Sequence, residues 1–397
     1  MTSTADPAST DDSRAVPVTA GIVCALVGFT SSFAIVLAGL QSVGADRDQS
    51  ASGLLVVSLL SGAGILWLAL RHRVPITLAW STPGAALLIT TGEVDGGWPA
   101  AVGAFAVTGL LIAASGVWTQ LADLVRRIPP VVAQAMLAGI LLPLCTAPVP
   151  ALREEPWAVA PVLLTWLALV RFTPRWAVPA AFVAAAVVIA VDLVSSGATV
   201  PVGDLAPQLT WTTPAWTTQA LVGLAIPLFV VTMASQNIAG VAVMQSFGYR
   251  VPWRETMAVT GLGTVLGAGS GGHAVNLSAI SAALAAGPDA GPDPSRRWIA
   301  AVSDGVTFLV LGLASAALAT LVALAPAGVV QAVAAVALLG AFVGALGAAL
   351  ADPQTRTVAA TTFVVAGSGI AFAGVGSAFW ALVVGIAVHL VLRPRSR

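Results

Sequence analysis

Between residues 18 and 392 the chain alternates long apolar runs with short breaks that hold most of its charge. Lipid offers the backbone no hydrogen-bond partner, so such a chain can span a membrane only as helices or as a closed barrel. Continuous apolar runs of about 20 residues, in place of alternating stretches of about ten, point to helices. Hydrophobic residues make up 58% of the sequence and charged residues 9%, which is too apolar for a soluble globular protein. The expected fold is an all-α polytopic membrane protein whose surroundings are the lipid bilayer.

The runs place spans at 18–43, 53–70, 76–91, 98–119, 131–147, 157–172, 176–194, 217–235, 255–268, 269–286, 298–324, 329–350, 357–372 and 375–392. That makes fourteen, the third and tenth being irregular. All 17 basic residues are Arg, and their placement tests the count, because cytoplasmic loops collect positive charge. With every segment crossing and the N-terminus inside, 15 arginines fall inside and only Arg47 and Arg153 outside. If segments three and ten did not cross, the split would be 10 to 7. Both termini are therefore expected in the cytoplasm, with 92–97 and 195–214 outside. Residues 1–16 are polar with a single Arg, lack the basic region of a cleavable signal, and read as a disordered tail.

Several function classes are excluded. Net charge is zero and no basic face is present, so nucleic acid is not an expected partner. Two isolated cysteines, Cys24 and Cys145, and three scattered histidines offer no metal cluster and no nucleophile with its base. No enzyme activity, cofactor or metal is expected.

An internal repeat is visible at a spacing near 200 residues. Leu40-Gln41-Ser42-Val43-Gly44 recurs as Met244-Gln245-Ser246-Phe247-Gly248, Trp98 as Trp298, and Val132, Gln134 and Ala135 as Val329, Gln331 and Ala332. Seven spans per half is an odd number, so the halves enter from opposite faces and the repeat is inverted.

The irregular tenth segment, at 269–284, opens with three glycines in four residues and carries His273 and Asn276. Each Gly in a helix interior costs about 1 kcal/mol relative to Ala, so extended backbone is expected up to Gly272 and a half-helix from His273. A glycine-rich helix contact is the alternative. The repeat pairs this segment with 75–88, where Ser81 or Thr82 caps a second half-helix near Pro83. The arms 76–80 and 268–272 are expected to pair with one another. Two half-helix N-termini meeting at membrane depth present unpaired N–H groups and positive dipole ends, which suits an anion.

Three motifs, Trp80-Ser81-Thr82-Pro83-Gly84-Ala85-Ala86-Leu87-Leu88, Ser235-Gln236-Asn237-Ile238-Ala239-Gly240-Val241-Ala242-Val243-Met244 and Gly271-Gly272-His273-Ala274-Val275-Asn276-Leu277, resemble the benzoate membrane transport family of BenE-type benzoate/proton symporters. That family is similar in fold to the uracil/proton symporters and the sulfate transporter group. The resemblance implies seven-plus-seven spans divided into a core domain, 17–128 and 216–325, and a gate domain, 129–194 and 326–393. A periplasmic linker at 195–215 joins the halves, a tail at 394–397 follows, and a homodimer forms through the gate domain. Substrate would lie between spans 3, 8 and 10. Uracil carriers place acidic residues on spans 8 and 10, where this chain has Gln236 and, approximately, Val275. The departure favours an anion over a nucleobase.

On this reading Gln236, Asn276 and backbone near Gly84, Ala85, Gly272, His273 and Ala274 hold a carboxylate, with Ser81 and Thr82 as caps that can also donate. Phe33, Trp80 and Phe229 either bracket an aromatic ring or simply pack. His273 either carries the coupled proton or is a buried neutral residue. Asp304, the one carboxylate well inside a span, is a second proton-carrier candidate or an Arg partner. The function expected is import of benzoate or a related aromatic carboxylate with a proton across a bacterial-type inner membrane. Transport of another organic or inorganic anion, or a passive anion channel, is the alternative.

Overall fold

The computed structural model describes residues 15–118, 120–121, 127–197, 202–370, 372 and 375–392, which are mostly helical. Arg126, residues 198–201 of the expected linker, residues 1–14 of the expected tail at 1–16, Arg393 and the expected tail at 394–397 lie outside the described residues. The first half contains α1 (Ala15–Thr30), α2 (Phe33–Ser42), α3 (Arg47–His72), β1 (Leu78–Trp80), α4 (Thr82–Thr91) and α5 (Gly97–Val117). It continues with α6 (Pro130–Thr146), α7 (Pro148–Glu154), α8 (Pro156–Phe172) and α9 (Pro174–Ser196). The second half contains α10 (Thr218–Ser246), α11 (Trp253–Ala268), β2 (Val275–Leu277), α12 (Ala279–Ala286), α13 (Trp298–Gly312) and α14 (Ser315–Ala323). Last come α15 (Val329–Leu350), α16 (Arg356–Gly367) and α17 (Ser377–Leu392).

Among the described residues seven helices are long and apolar enough to cross a membrane, α1 and α2 together making one of them. An eighth results if α13 and α14, bent by 55° where they meet, are one span. The straight spans read at 18–43 and 298–324 are thus both broken. The first break falls at Ser31 and Ser32, where the N–H groups of both residues still reach back to Val27 O and Phe29 O. α10 is continuous but contains two π-helical turns, Leu221–Ala225 and Met233–Asn237. Such turns re-aim side chains and cluster at functional sites.

Because lipid is as apolar as a leucine side chain, helices here associate through close backbone packing. A Cβ on Gly62 of α3 would lie 2.7 Å from Gly305 O of α13, and one on Gly305 3.0 Å from Gly62 O. Gly109 of α5 approaches Gly261 O of α11 equally closely, at 2.7 Å for an added Cβ.

The repeated Gln-Ser motif has one structural role in both halves. At the end of α2 the N–H of Gly44 bonds Gln41 O and that of Ala45 bonds Leu40 O; at the end of α10 Gly248 and Tyr249 bond Gln245 O and Met244 O. Gly44 and Gly248 sit at φ +101° and +84°, which explains why glycine recurs there.

Polar contacts separate into two faces. On one, Arg47 pairs with Asp204 (2.9 Å), and Thr217 Oγ1 donates to Asp95 O (2.9 Å). On the other, Arg71 and His72 meet Glu255 (3.0 and 2.8 Å), and Arg73 stacks 4.1 Å above the Trp298 ring. The segment between α9 and α10 packs over the glycine turn after α11: Thr212 N–H bonds Gly269 O (2.7 Å), and Trp98 Nε1–H bonds Thr212 Oγ1 (3.0 Å).

Candidate functional site

The centre of the molecule is a two-stranded antiparallel ribbon in which Leu78 faces Leu277, Ala79 faces Asn276 and Trp80 faces Val275. Pairing of the third and tenth segments was expected, but not in this register. The arm 268–272 does not pair: Ala268 ends α11, and the turn closes through Gly271 N–H to Ala268 O and Gly272 N–H to Gly267 O. The second half-helix begins at Ala279, not at His273. Ser278 is its cap, its hydroxyl accepting Ser281 N–H, and the β-branched Val275 and the residues to Leu277 take the extended form that the glycines were expected to supply.

The ribbon ends are alike. Ser81 N–H donates to Ala274 O (2.8 Å) and Ser278 N–H to Thr77 O (3.1 Å). Each serine then caps a half-helix, α4 and α12, and because the strands are antiparallel the two helices leave from opposite ends of the ribbon. At the α4 cap, Ser81 Oγ accepts Gly84 N–H (3.1 Å) and Thr232 Oγ–H (2.9 Å), while Ser81 O accepts Ala85 N–H (2.8 Å). The Gly84 and Ala85 N–H groups are therefore engaged within the cap.

His273 is fully buried and donates from Nε2 to Ser81 O (3.2 Å), since a carbonyl oxygen can only accept. Its Nδ1 has no partner. Asn276, also fully buried, donates Nδ2–H to Leu277 O (2.9 Å) and leaves Oδ1 unpaired. Thr77 Oγ1 is a third orphaned atom on the ribbon. Buried polar groups nearly always find partners, so these three are exceptions: His273 at one end of the ribbon, Thr77 at the other and Asn276 between them. Gln236 lies in the second π turn of α10 and, like Thr82, is half-buried with no side-chain hydrogen bond.

Asn237, which the sequence reading quoted only within a motif, ties α10 to the ribbon. Its Oδ1 accepts Leu277 N–H (2.8 Å) and its Nδ2 donates to Met233 Sδ (3.2 Å). Phe33 and Trp80 join an aromatic cluster: Phe29 lies 5.9 Å from Phe33 and 5.1 Å from Trp80, and Phe308 lies 5.5 Å from Trp80. Trp80 Nε1–H donates to Ser32 Oγ (2.9 Å), at the break between α1 and α2. The sequence reading missed Phe29 and Phe308, which look like any apolar helix residue until the packing brings them together. Phe229 is buried but makes none of these ring contacts.

Asp304 is fully buried with both carboxyl oxygens unpartnered. Among the described residues no Arg pairs with it, in contrast to the expected alternative. Arg297 gives Nη1–H to Ala286 O (2.7 Å) and Nε–H to Gly291 O (2.9 Å), closing the C-terminal end of α12. Beside Asp304 lies Cys24, whose thiol donates to Ser281 O (3.4 Å) in the first turn of α12.

A ribbon at membrane depth that carries two capped half-helices defines a transporter fold, since non-helical backbone is tolerated there only inside protein or beside a pathway. The fold is similar to that of the transmembrane domain of the cyanobacterial bicarbonate transporter BicA (TM-score 0.61, 15% identity, covering 95% of this chain and 96% of that one). It is also similar to murine Slc26a9, an anion transporter in an inward-facing state (TM-score 0.60, 14% identity, 97% and 69%). The chain belongs to the benzoate membrane transport protein family (BenE), which it matches over residues 11–391. Its relatives include the inner membrane protein YdcO of Escherichia coli, 37% identical over 94% of this chain and 95% of that protein. The benzoate membrane transport protein of Acinetobacter baylyi is 28% identical over 95% of each. The family is one of membrane transporters, not enzymes.

Proposed function

We propose that this protein is a secondary active transporter that takes up benzoate or a close aromatic carboxylate together with a proton, across a bacterial-type inner membrane. The observation that carries the reading is the ribbon itself, with a serine-capped helix start at each end and orphaned polar atoms of His273 and Asn276 beside them. Family membership, the benzoate relative and the anion-transporter fold support it, and YdcO's name supports the location. The fourteen segments form a seven-plus-seven inverted repeat, the core domain being 17–128 with 216–325 and the gate domain 129–194 with 326–393. The core moves against the gate to give alternating access, and two chains associate through the gate domain.

In this mechanism the carboxylate lies near the starts of the half-helices, where dipole ends favour it. Thr82, Gln236 and the remaining Nδ2–H of Asn276 donate to it. Gly84, Ala85, Gly272 and Ala274 let it approach the backbone, and Trp80 with Phe33 receives the ring. His273 Nδ1 or the Asp304 carboxyl, both buried and unpartnered, takes the proton that accompanies it. One proton with one monoanion is electroneutral, so the pH gradient drives uptake without opposing an inside-negative potential.

The test is benzoate uptake by proteoliposomes with an alkaline interior. Accumulation above the outside concentration, with alkalinisation of the outer medium when benzoate is added, is expected. Benzoate flux without proton movement would mean a channel. Uptake of bicarbonate or sulfate in place of benzoate would give the site to an inorganic anion.

A further inference from the structure

A cavity of about 510 Å³ runs along α1, walled by Val16, Val23 and Val27 on that helix, Trp176 of α9, Leu284 of α12 and Asp289. Its size is within the roughly 300–1,000 Å³ typical of small-molecule sites. Its mouth lies near the start of α1, where Ala15 and Val16 are exposed, and the lining residues Ala20, Val23 and Val27 further along are half-buried. Val27 is the innermost lining residue on α1, and its carbonyl accepts Ser31 N–H at the helix break. One residue further on, Ser32 holds the Trp80 indole beside the cap of α4. The cavity thus points at the ribbon and stops short of it.

Beyond the residues that line it, the two sides come into ring contact. Phe182 of α9, about two turns beyond Trp176, meets Phe33 edge-on with centroids 5.0 Å apart and planes at 83°. Phe33 in turn lies 5.9 Å from Phe29, which touches Trp80. The chain of rings is continuous from α9 to the ribbon.

The geometry points to the cavity as the vestibule of an aromatic monocarboxylate and to Phe182 as the residue that closes it, its ring holding the place against Phe33 that the ligand's ring takes in passing. The inference rests on the reading of the protein as an aromatic carboxylate carrier. The valines, Trp176 and Leu284 suit the ring, while the polar lining residues are Thr19 and Asp289, both exposed. Edge-to-face pairing adds only modestly to burial, so a ligand ring can displace it. Phe182 belongs to the proposed gate domain and Phe33 to the core, so their contact breaks when one slides past the other.

The experiment uses full-length protein with Cys24 and Cys145 replaced by Ser, and one new cysteine at either Val27, in the vestibule, or Ser32, beyond the rings. With Phe182 present, methyl methanethiosulfonate should modify V27C readily and S32C about tenfold more slowly, because reactivity follows access. Phe182→Ala should bring S32C close to the V27C rate, and Phe182→Leu, which keeps apolar bulk without a ring edge, should fall between. Equal rates at the two positions with Phe182 present would overturn the gate, as would an S32C rate unchanged in both F182A and F182L. Added benzoate should slow S32C modification in F182A. Failure of that protection alone, with the gate results as expected, would count against the aromatic carboxylate and leave Phe182 as the barrier.

Discussion

At the scale of single residues, the buried polar groups divide into those the fold consumes and those it leaves open. Asn237 is consumed: without it the buried Leu277 N–H has no acceptor. Asn237→Leu should destabilise the protein by about 1–3 kcal/mol, seen as a lower unfolding temperature in detergent. His273 and Asp304 are left open, and they are distinguished by what survives their replacement. If His273 carries the proton, proton and benzoate each raise the other's affinity by the same factor, so benzoate binding weakens as pH rises from about 6 to about 8. His273→Gln should flatten that dependence and stop accumulation while exchange across the membrane persists. Accumulation by H273Q with the unaltered pH profile would transfer the role to Asp304, and Asp304→Asn should then produce the same loss. Gly84 tests the anion site directly, since a Cβ there would sit 2.6 Å from Leu228 Cδ1 and 2.8 Å from Ser81 Oγ. The Leu228 methyl can move, so Gly84→Val should fold yet bind benzoate at least about tenfold more weakly, measured by ligand-induced thermal shift.

At the scale of elements, the two half-helices share a design but not their supports. α4 depends on Ser81, whose hydroxyl also receives Thr232 from α10, whereas the Ser278 hydroxyl at α12 accepts only Ser281 N–H. Removing either cap should cost about 1 kcal/mol, with Ser81→Ala the more damaging. Hydrogen exchange resolves the effect by element: S81A should speed exchange in α4 and S278A in α12. Acceleration of both by either change would show that ribbon and half-helices open as one unit. The π turn that holds Gln236 and Asn237 gives these neighbours separate tasks, Asn237 on the ribbon and Gln236 without a bond. A regular 3.6-residue reading of α10 does not reveal that division.

At the scale of the whole molecule, the separation of polar contacts into two faces bears on orientation. Arg47, Asp95, Asp204 and Thr217 share one face; Arg71, Arg73, Glu255 and Trp298 share the other. On the positive-inside rule we propose that the second face is the cytoplasmic one. Single cysteines at Glu93 and Gly203 should then react with an impermeant maleimide in intact cells, and one at Ser295 only after permeabilisation. Labelling in the opposite pattern would invert the topology. On the Arg-poor face the segment bonded to Gly269 through Thr212 covers the glycine turn.

The sequence alone determined the membrane class and the places of the third and tenth segments, because these follow from long apolar runs, glycine clusters and local capping chemistry that need no distant partner; the family was legible in three motifs that resemble it. Ser81 as a cap could be read directly from Ser-Thr-Pro-Gly, and the Gln-Ser repeat marked two turns that the structure shows to be equivalent. Only the tertiary structure decided the ribbon's register, the start of α12 at Ala279, the orphaned atoms of His273 and Asn276, the diversion of Arg297 away from Asp304, and the rings that Phe29, Phe182 and Phe308 bring to Phe33 and Trp80. Each depends on groups far apart in the chain. In a sequence this rich in Ala, Val and Gly, helix spacing identifies apolar residues without saying which of them face lipid and which face one another.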